Sequence, residues 1–163
     1  MIPGWANLDL AGPAPVIEWD LTLALPLPPA SCDFIYSEHF VEHIAHDDAR
    51  YLLRECHRVL RPGGVLRLTT PSLEKLVHEY RSGQLTEWRD VQWLPDSPCQ
   101  LLNQGMRLWG HQFVYDWPEI LSTLQGCGFA TVERVNWRES RHAELRGLEC
   151  RPYHEELLLE ATP

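Results

Sequence analysis

Residues 47–69, in the middle of the chain, restrict the possible folds more than any other stretch of the sequence. Asp47 and Asp48 suit the N-cap and first turn of a helix, and the Pro-Gly-Gly at 62–64 predicts its end. Residues 65–69 then predict a strand. A helix that leads directly into a strand is typical of α/β proteins. The predicted helix has apolar residues at helical spacing, namely Ala49, Leu52, Leu53, Cys56, Val59 and Leu60.

Shorter patterns on both sides extend this alternation. Three apolar runs bounded by prolines and polar residues predict short strands at 6–10, 16–19 and 32–36. The other predicted elements are helices at 72–83 and 116–126 and an antiparallel pair of strands at 129–137 and 155–161. Residues 84–112 show little periodicity and predict a functional loop or a partly helical lid. We therefore expect a single α/β domain over 1–163, built as a three-layer sandwich.

Charge and hydropathy exclude several classes of protein. The chain has 163 residues and a net charge of −9, and an acidic surface repels the phosphates of nucleic acids. No apolar run approaches the roughly 20 residues of a membrane span, and the first ten residues lack the features of a secretion signal. The five cysteines are widely spaced, which is typical of buried thiols in a reducing compartment. We therefore expect a cytoplasmic protein without nucleic-acid or membrane partners.

Several motifs resemble a known family in their order and spacing. They are FIYSEHFVEHI at 34–44, the helix and Pro-Gly-Gly that follow, WGHQFVYD at 109–116 and GCGF at 126–129. From about Pro3 to the C-terminus, the chain resembles the small bacterial branch of the class I S-adenosylmethionine-dependent methyltransferases. The resemblance implies a Rossmann-like methyltransferase fold with a mostly parallel sheet, S-adenosylmethionine as cofactor, and a methyl acceptor. The acidic surface favours a small molecule or a sugar as acceptor.

A second interpretation belongs to another functional class. The chain would then be a catalytically inactive methyltransferase-like module that binds or regulates a partner. The motifs that resemble an active site favour the enzyme. The glycine-rich loop that is missing from the sequence favours the inactive module.

The resemblance also implies which residues hold the nucleoside part of the cofactor. Asp9, at the end of a predicted strand with Leu10 beside it, would accept hydrogen bonds from the ribose hydroxyls. Asp20 would accept a hydrogen bond from the adenine amine, and Leu21 would pack on the adenine ring. Alternatively, Asp9 and Asp20 are ordinary turn residues, because aspartate is common in turns.

Ser37 and Glu38 follow the third predicted strand, and the resemblance places them near the methionine end of the cofactor. Ser37 alternatively satisfies only a backbone group. If the following segment is helical, Glu38 and Glu42 share one face, and His39 and His43 share another. Such a histidine pair can bind a metal, but the sequence shows no third ligand, so we expect no metal site. His39 or His43 is instead predicted to take a proton from the acceptor or to order the site.

The aromatic residues before the last predicted helix supply further candidates. His111 is the third predicted catalytic residue, and Tyr115 is a second candidate for acid–base chemistry or acceptor binding. Trp88, Trp93 and Trp109 either line an acceptor pocket or pack a small satellite core. We favour the satellite core, because large aromatic side chains are mostly buried for packing.

Class I methyltransferases carry a glycine-rich loop after the first strand, where the backbone approaches the cofactor closely. This sequence has no such loop, and the resemblance places the missing strand and loop before Pro3. Three explanations follow: the chain is a fragment or starts at an internal methionine, the remaining strands pair directly, or a second chain supplies the pairing in a homodimer. We expect this 163-residue form to bind S-adenosylmethionine weakly or not at all.

Overall fold

The computed structural model describes residues 4–85 and 92–163, which alternate between strands and helices. The strands are β1 (Leu8–Asp9), β2 (Ile17–Glu18), β3 (Cys32–Glu38), β4 (Leu60–Thr70), β5 (Thr131–Arg134) and β6 (Leu157–Thr162). The helices are α1 (His46–Val59), α2 (Leu73–Ser82), α3 (Pro98–Arg107) and α4 (Trp117–Gly126), with 3₁₀ turns at Val41–His43, Leu108–Gly110 and Ala143–Leu145. Within these two ranges, no helix has both the length and the apolar character needed to span a membrane.

The strands form two separate sheets. In the larger sheet the order is β3-β4-β6-β5, with β3 parallel to β4 and with β6 antiparallel to both β4 and β5. β1 and β2 form a parallel pair of their own. The predicted antiparallel strands at the C-terminus are confirmed. Among the described strands of the larger sheet, however, one pairing is parallel and two are antiparallel, so this sheet is mixed and not mostly parallel.

The junction between α1 and β4 differs from the prediction in one respect. α1 ends at Val59 and β4 begins at Leu60, so the Pro-Gly-Gly at 62–64 lies inside the strand. These residues form an insertion, because Cys32 pairs with Leu60 but Phe34 already pairs with Val65. The N-cap of α1 was also predicted wrongly: it is Ala45, and Asp47 and Asp48 both lie in the first turn, where carboxylates favour the positive end of the helix dipole.

The main core lies on the face of the sheet that α1 and α4 cover. Side chains that alternate along β4 and β6 point to this face and meet the apolar stripe of α1. The buried residues at the centre of this layer include Leu53, Leu66, Leu68, Ile120, Leu124 and Leu159. The pattern of apolar residues at 49–60 therefore predicted the correct face of α1.

α2 and α3 enclose a second, smaller core. Its buried members are Leu76, Trp93, Leu101 and Val114. Gly105 lets the two helices approach closely, because a Cβ atom at this position would lie 2.6 Å from Cδ2 of Leu76. Trp93 therefore packs in a satellite core, as favoured from the sequence. Trp88 lies outside the described residues, and α3 occupies part of the segment predicted as a loop or lid.

The opposite face of the sheet carries a buried arginine. Arg67, in the middle of β4, is fully inaccessible to solvent, and its Nε donates to Oε1 of Glu149 at 2.6 Å. Its Nη1 donates to Oε1 of Glu160 at 2.8 Å and to the carbonyl of Glu139, and its Nη2 donates to the carbonyl of Asn136. Arg67 thus fixes the irregular segment 135–150 over this face.

Replacing Arg67 by methionine should lower the free energy of unfolding by about 3–5 kcal/mol, because the buried Glu149 carboxylate loses its counter-charge. Urea denaturation followed by circular dichroism measures this loss. Arg61→Met is the matched control: its ion pair with Asp33 is exposed, so the loss should stay below about 1 kcal/mol. Equal losses in the two variants would contradict the structural role of Arg67.

Candidate active site

A cleft of about 600 Å³ separates the β1–β2 pair from the free edge of β3. This volume lies within the range of small-molecule sites, about 300–1,000 Å³. Apolar side chains form most of its wall, among them Leu8, Leu21, Leu25, Leu27 and Phe40. The cleft follows the whole length of β3 and reaches its carboxyl end. The sequence left open that the strands on either side of the missing strand pair directly with each other. Among the described strands, β1 and β3 do not pair, so this explanation does not hold.

Four of the six residues predicted to bind the cofactor line this cleft. They are Asp9, Leu21, Ser37 and Glu38. Asp9 lies at the end of β1, and its Oδ1 accepts a hydrogen bond from the backbone N–H of Leu10 at 2.7 Å. Asp9 therefore lies at the carboxyl end of β1, and Ser37 and Glu38 lie at the carboxyl end of β3. Ligands bind at such strand ends in open α/β sheets.

The other two predicted cofactor residues lie elsewhere. The side chain of Leu10 is 66% exposed and does not line the cleft. Asp20 also lies outside the cleft, and its Oδ1 accepts hydrogen bonds from the backbone N–H and the hydroxyl of Thr22. These two bonds lower the pKa of Asp20. The contacts of Asp20 are those of a turn residue, the alternative considered from the sequence.

Glu38 connects the cleft to the loop before β6. Both of its carboxylate oxygens accept hydrogen bonds from the backbone N–H of Cys150, at 3.1 and 3.2 Å, and Oε1 also accepts from Arg151. Burial opposes ionisation of Glu38, but these bonds outweigh it and hold its pKa below the usual value. Glu38 therefore fixes the 150–151 segment beside the cleft.

The segment after Glu38 is not the helix that the sequence suggested. His39 has a left-handed backbone, with φ of +50°, and its N–H donates to the carbonyl of Thr69. A short 3₁₀ turn follows, over Val41–His43. This change of direction separates Glu38 from Glu42, so the predicted shared face is wrong. Glu38 points to the 150–151 backbone, whereas Glu42 is buried below the histidines.

Glu42 lies at the centre of a group formed with His39, His43 and His111, which we call the histidine cluster. Its side chain is fully buried, and its Oε2 accepts a hydrogen bond from the hydroxyl of Thr70 at 3.0 Å. Its Oε1 lies 3.3 Å from Nδ1 of His39 and 3.7 Å from Nε2 of His43. Burial raises the pKa of Glu42, but the contact with His39 and the charge of His43 outweigh it, so the net pKa is lowered.

His111 completes the cluster from the other side. Its ring packs edge-on against His43, with the centroids 4.9 Å apart, and its Nδ1 lies 2.9 Å from the carbonyl of Gly105. Burial and the neighbouring histidines lower the pKa of His111 although the Gly105 carbonyl opposes this, so the neutral imidazole is favoured. His39, His43 and His111, the three predicted catalytic residues, therefore converge at one place in the fold.

The other aromatic candidates lie behind this cluster. Tyr115 is fully buried in the main core, and burial raises the pKa of its hydroxyl, so the structure argues against its predicted role in acid–base chemistry. Trp109 packs edge-on against Trp93, with its ring centroid 5.6 Å from that of His111. Its side chain is 44% exposed, so Trp109 is the most exposed of the tryptophans that the structure describes.

Glu42 is the site residue that reasoning from the sequence missed. The helical interpretation of 38–46 placed Glu42 on the same face as Glu38 and gave it no role of its own. The backbone change at His39 instead turns Glu42 inward. A glutamate between two histidines, three residues after one and next to the other, was the available signal.

The arrangement can accept or relay a proton. Neutral imidazoles near pH 7 are suitable proton acceptors, and a carboxylate beside them stabilises the imidazolium that forms. The side chain of His43 is 30% exposed and that of His39 is 9% exposed, so His43 is the more accessible of the two.

Comparison with known sequences supports the resemblance drawn from the motifs. Residues 6–68 match the family model described as "Methyltransferase domain". A protein of Mycolicibacterium smegmatis, named "Probable S-adenosylmethionine-dependent methyltransferase", is 48% identical over 48 residues, which are 29% of this chain and 18% of that protein. A Mycobacterium tuberculosis protein of the same description has the same identity over 17% of its length. The match thus spans less than a fifth of these curated relatives. The predicted resemblance to class I methyltransferases is confirmed.

Comparison with solved structures confirms the Rossmann-like fold class. An S-adenosylmethionine-dependent methyltransferase from Archaeoglobus fulgidus aligns with a TM-score of 0.54 and 14% identity, over 91% of this chain and 67% of that one. A methyltransferase from Thermotoga maritima aligns with a TM-score of 0.52 and 19% identity, over 90% of this chain and 63% of that one. At these identities the similarity concerns the fold alone.

The burial of Glu42 predicts how stability depends on pH. Because its folded pKa lies below the ordinary 4.5, its stabilising effect is present above that pH and is lost as the pH falls towards the folded pKa. Glu42→Gln should lower the free energy of unfolding at pH 7 by about 1–3 kcal/mol. It should also make the decline between pH 5.5 and 3.5 shallower. Urea titrations at pH 7, 5.5 and 3.5 measure both effects.

The exposed Glu144 provides the matched control for this prediction. Glu144→Gln should leave both the stability at pH 7 and the slope unchanged. A Glu42→Gln variant with the pH dependence of the wild type would show that the Glu42 carboxylate does not contribute.

Proposed function

We propose that this chain forms the core of a methyltransferase that takes its methyl group from S-adenosylmethionine. The observation that carries the proposal is the cleft that ends at the carboxyl ends of β1 and β3, within the segment that matches the methyltransferase family. In open α/β folds, this edge of the sheet is where cofactors bind. The acceptor is proposed to be a small molecule or a sugar, because the net charge of −9 disfavours polyanions.

The residues of the cleft suit the parts of such a cofactor. Leu21 offers an apolar wall for the adenine ring, and Asp9 offers a carboxylate for the ribose hydroxyls. Oδ1 of Asp9 already accepts from Leu10, and within the described residues its Oδ2 has no partner. Ser37 supplies a hydroxyl at the far end. Glu38 supports that end indirectly, because its oxygens are occupied by the 150–151 backbone.

When bound, the cofactor would supply a methyl group on a positively charged sulfur. The nucleophile would bond to the methyl carbon while the methyl–sulfur bond breaks, and S-adenosylhomocysteine would leave. The protein must align the nucleophile and remove its proton. The histidine cluster follows Ser37 and Glu38 directly along the chain, but none of its residues lines the cleft. The proposal therefore requires the acceptor to lie between the cluster and the end of the cleft. His43, the more exposed histidine beside Glu42, is the proposed proton acceptor, and Glu42 would stabilise the resulting charge.

Binding of S-adenosylhomocysteine, the demethylated cofactor, tests the proposal without a known acceptor. We expect saturable but weak binding, because one edge of β3 has no partner among the described strands and the sequence has no glycine-rich loop. Titration of ¹⁵N-labelled protein should shift the amide signals of Asp9, Leu21 and Ser37. Asp9→Ala should weaken binding by about tenfold, which corresponds to about 1.4 kcal/mol and to the loss of a charge-assisted hydrogen bond.

Asp48→Asn is the control, because Asp48 is exposed on α1, away from the cleft. It should bind as the wild type does. Absence of saturable binding at millimolar ligand would overturn the cofactor proposal and favour an inactive, partner-binding module. Low-micromolar binding in calorimetry would support the cofactor and contradict the expectation of weak binding.

A further inference from the structure

The histidine cluster brings together three donor atoms of the kinds that bind metal ions. Glu42, His43 and His111 each offer one such atom, and these atoms all lie within 4.8 Å of one another. The three residues come from two segments far apart in the sequence, which the contacts of Gln112 hold together. The backbone N–H of Gln112 donates to the carbonyl of Glu42 at 2.7 Å, and its side-chain Nε2 donates to the carbonyl of His43 at 2.7 Å.

One donor atom of this group, Oε1 of Glu42, is buried and lacks a hydrogen bond of good geometry among the described residues. The Glu42 side chain as a whole is fully buried. The other oxygen, Oε2, is held by Thr70, so Oε1 is aimed at the histidines. A buried carboxylate oxygen without a hydrogen bond is costly, because the loss of its hydration is not compensated. A cation bound at Oε1 would remove this cost.

The orientation of His111 also suits a metal ligand. Its Nδ1 lies 2.9 Å from the carbonyl of Gly105, so the hydrogen of the neutral ring is on Nδ1, and the lone pair of Nε2 is free to bind. Histidines that bind metals commonly donate their second ring N–H to a carbonyl or carboxylate in this way. The Gly105 carbonyl fixes both the tautomer and the ring direction.

We propose that Glu42, His43 and His111 bind a divalent transition-metal ion, with Zn²⁺ as the representative ion. Two imidazoles and one carboxylate are a donor set that Zn²⁺ accepts, and they leave a further position for water or an acceptor oxygen. Ligand atoms of a tetrahedral zinc site lie about 3.4 Å apart. The distance of 3.7 Å between Oε1 of Glu42 and Nε2 of His43 is close to this value, and all three donor atoms lie within 4.8 Å of one another. Metal binding would therefore require the imidazoles to rotate so that the donor atoms come closer together.

This proposal revises the expectation of no metal site. That expectation rested on a pair formed by His39 and His43 without a third ligand. The fold gives His43 different partners: Glu42 is turned inward, and His111, which follows the 3₁₀ turn after α3, lies beside His43. A metal ion would occupy the ring-nitrogen lone pair of His43, so His43 would not act as the proton acceptor while the metal is bound. The metal site does not depend on methyl transfer, so its test needs no cofactor.

Cobalt(II) titration of the full 163-residue chain, freed of any histidine tag, tests the site. The exposed cysteines Cys99 and Cys150 are replaced by serine in every sample, because thiols also bind such metals. We expect a visible absorption band that saturates at one equivalent of Co²⁺ and that disappears when Zn²⁺ is added. His43→Ala and His111→Ala should each weaken binding by about tenfold or more.

His78→Ala is the matched control, because His78 is exposed on α2 outside the cluster. It should keep the band and the affinity. Paramagnetic broadening by Co²⁺ gives a second measurement on the protein with all its histidines: the ring signals of His43 and His111 should broaden, and that of His78 should not. Absence of the band while circular dichroism shows a folded protein, or an unchanged affinity in both histidine variants, would overturn the proposal.

Discussion

A single buried carboxylate organises the carboxyl end of the sheet. Glu42 has no exposed surface, and a charge in such a place needs partners because its desolvation costs several kcal/mol. Those partners come from the end of β4, through Thr70, and from the turn around His39. The carbonyl of the same residue binds the backbone of 112–113, which brings His111 into place. The contacts of this one residue therefore determine the geometry of the candidate site, and they leave its Oε1 without a hydrogen bond of good geometry within the described residues.

Local signals in the sequence predicted much of the fold. Ser72 and Asp116 were expected to begin helices, and each accepts a hydrogen bond from the backbone N–H three residues later. Gly83 was expected to end α2, and it has the left-handed conformation of a C-cap. The short 3₁₀ turn at 41–43 and the insertion at 61–64 were not predicted, because both depend on how β3 pairs with β4 and not on neighbouring residues.

The candidate site was predicted only in part, because some of its geometry also depends on contacts between residues far apart in the sequence. The three histidines were identified by residue type, and they do meet. Glu42 was not identified, because its direction depends on the positive φ of His39, which no periodic pattern indicates. Asp20 and Leu10 were inferred from the family resemblance, which gives positions along the chain but not the direction of a side chain. Their contacts depend on the β1–β2 pair, which stands apart from the main sheet.

Because residue 105 is a glycine, it affects more than the packing of two helices. Leu76 of α2 occupies the space that a larger residue at 105 would need, so α3 lies close to α2. In this position the carbonyl of Gly105 reaches the imidazole of His111. The size of one residue in a helix interface thereby affects which nitrogen of His111 carries the proton. Changes in the satellite core would thus alter the chemistry of the site without touching any residue in it.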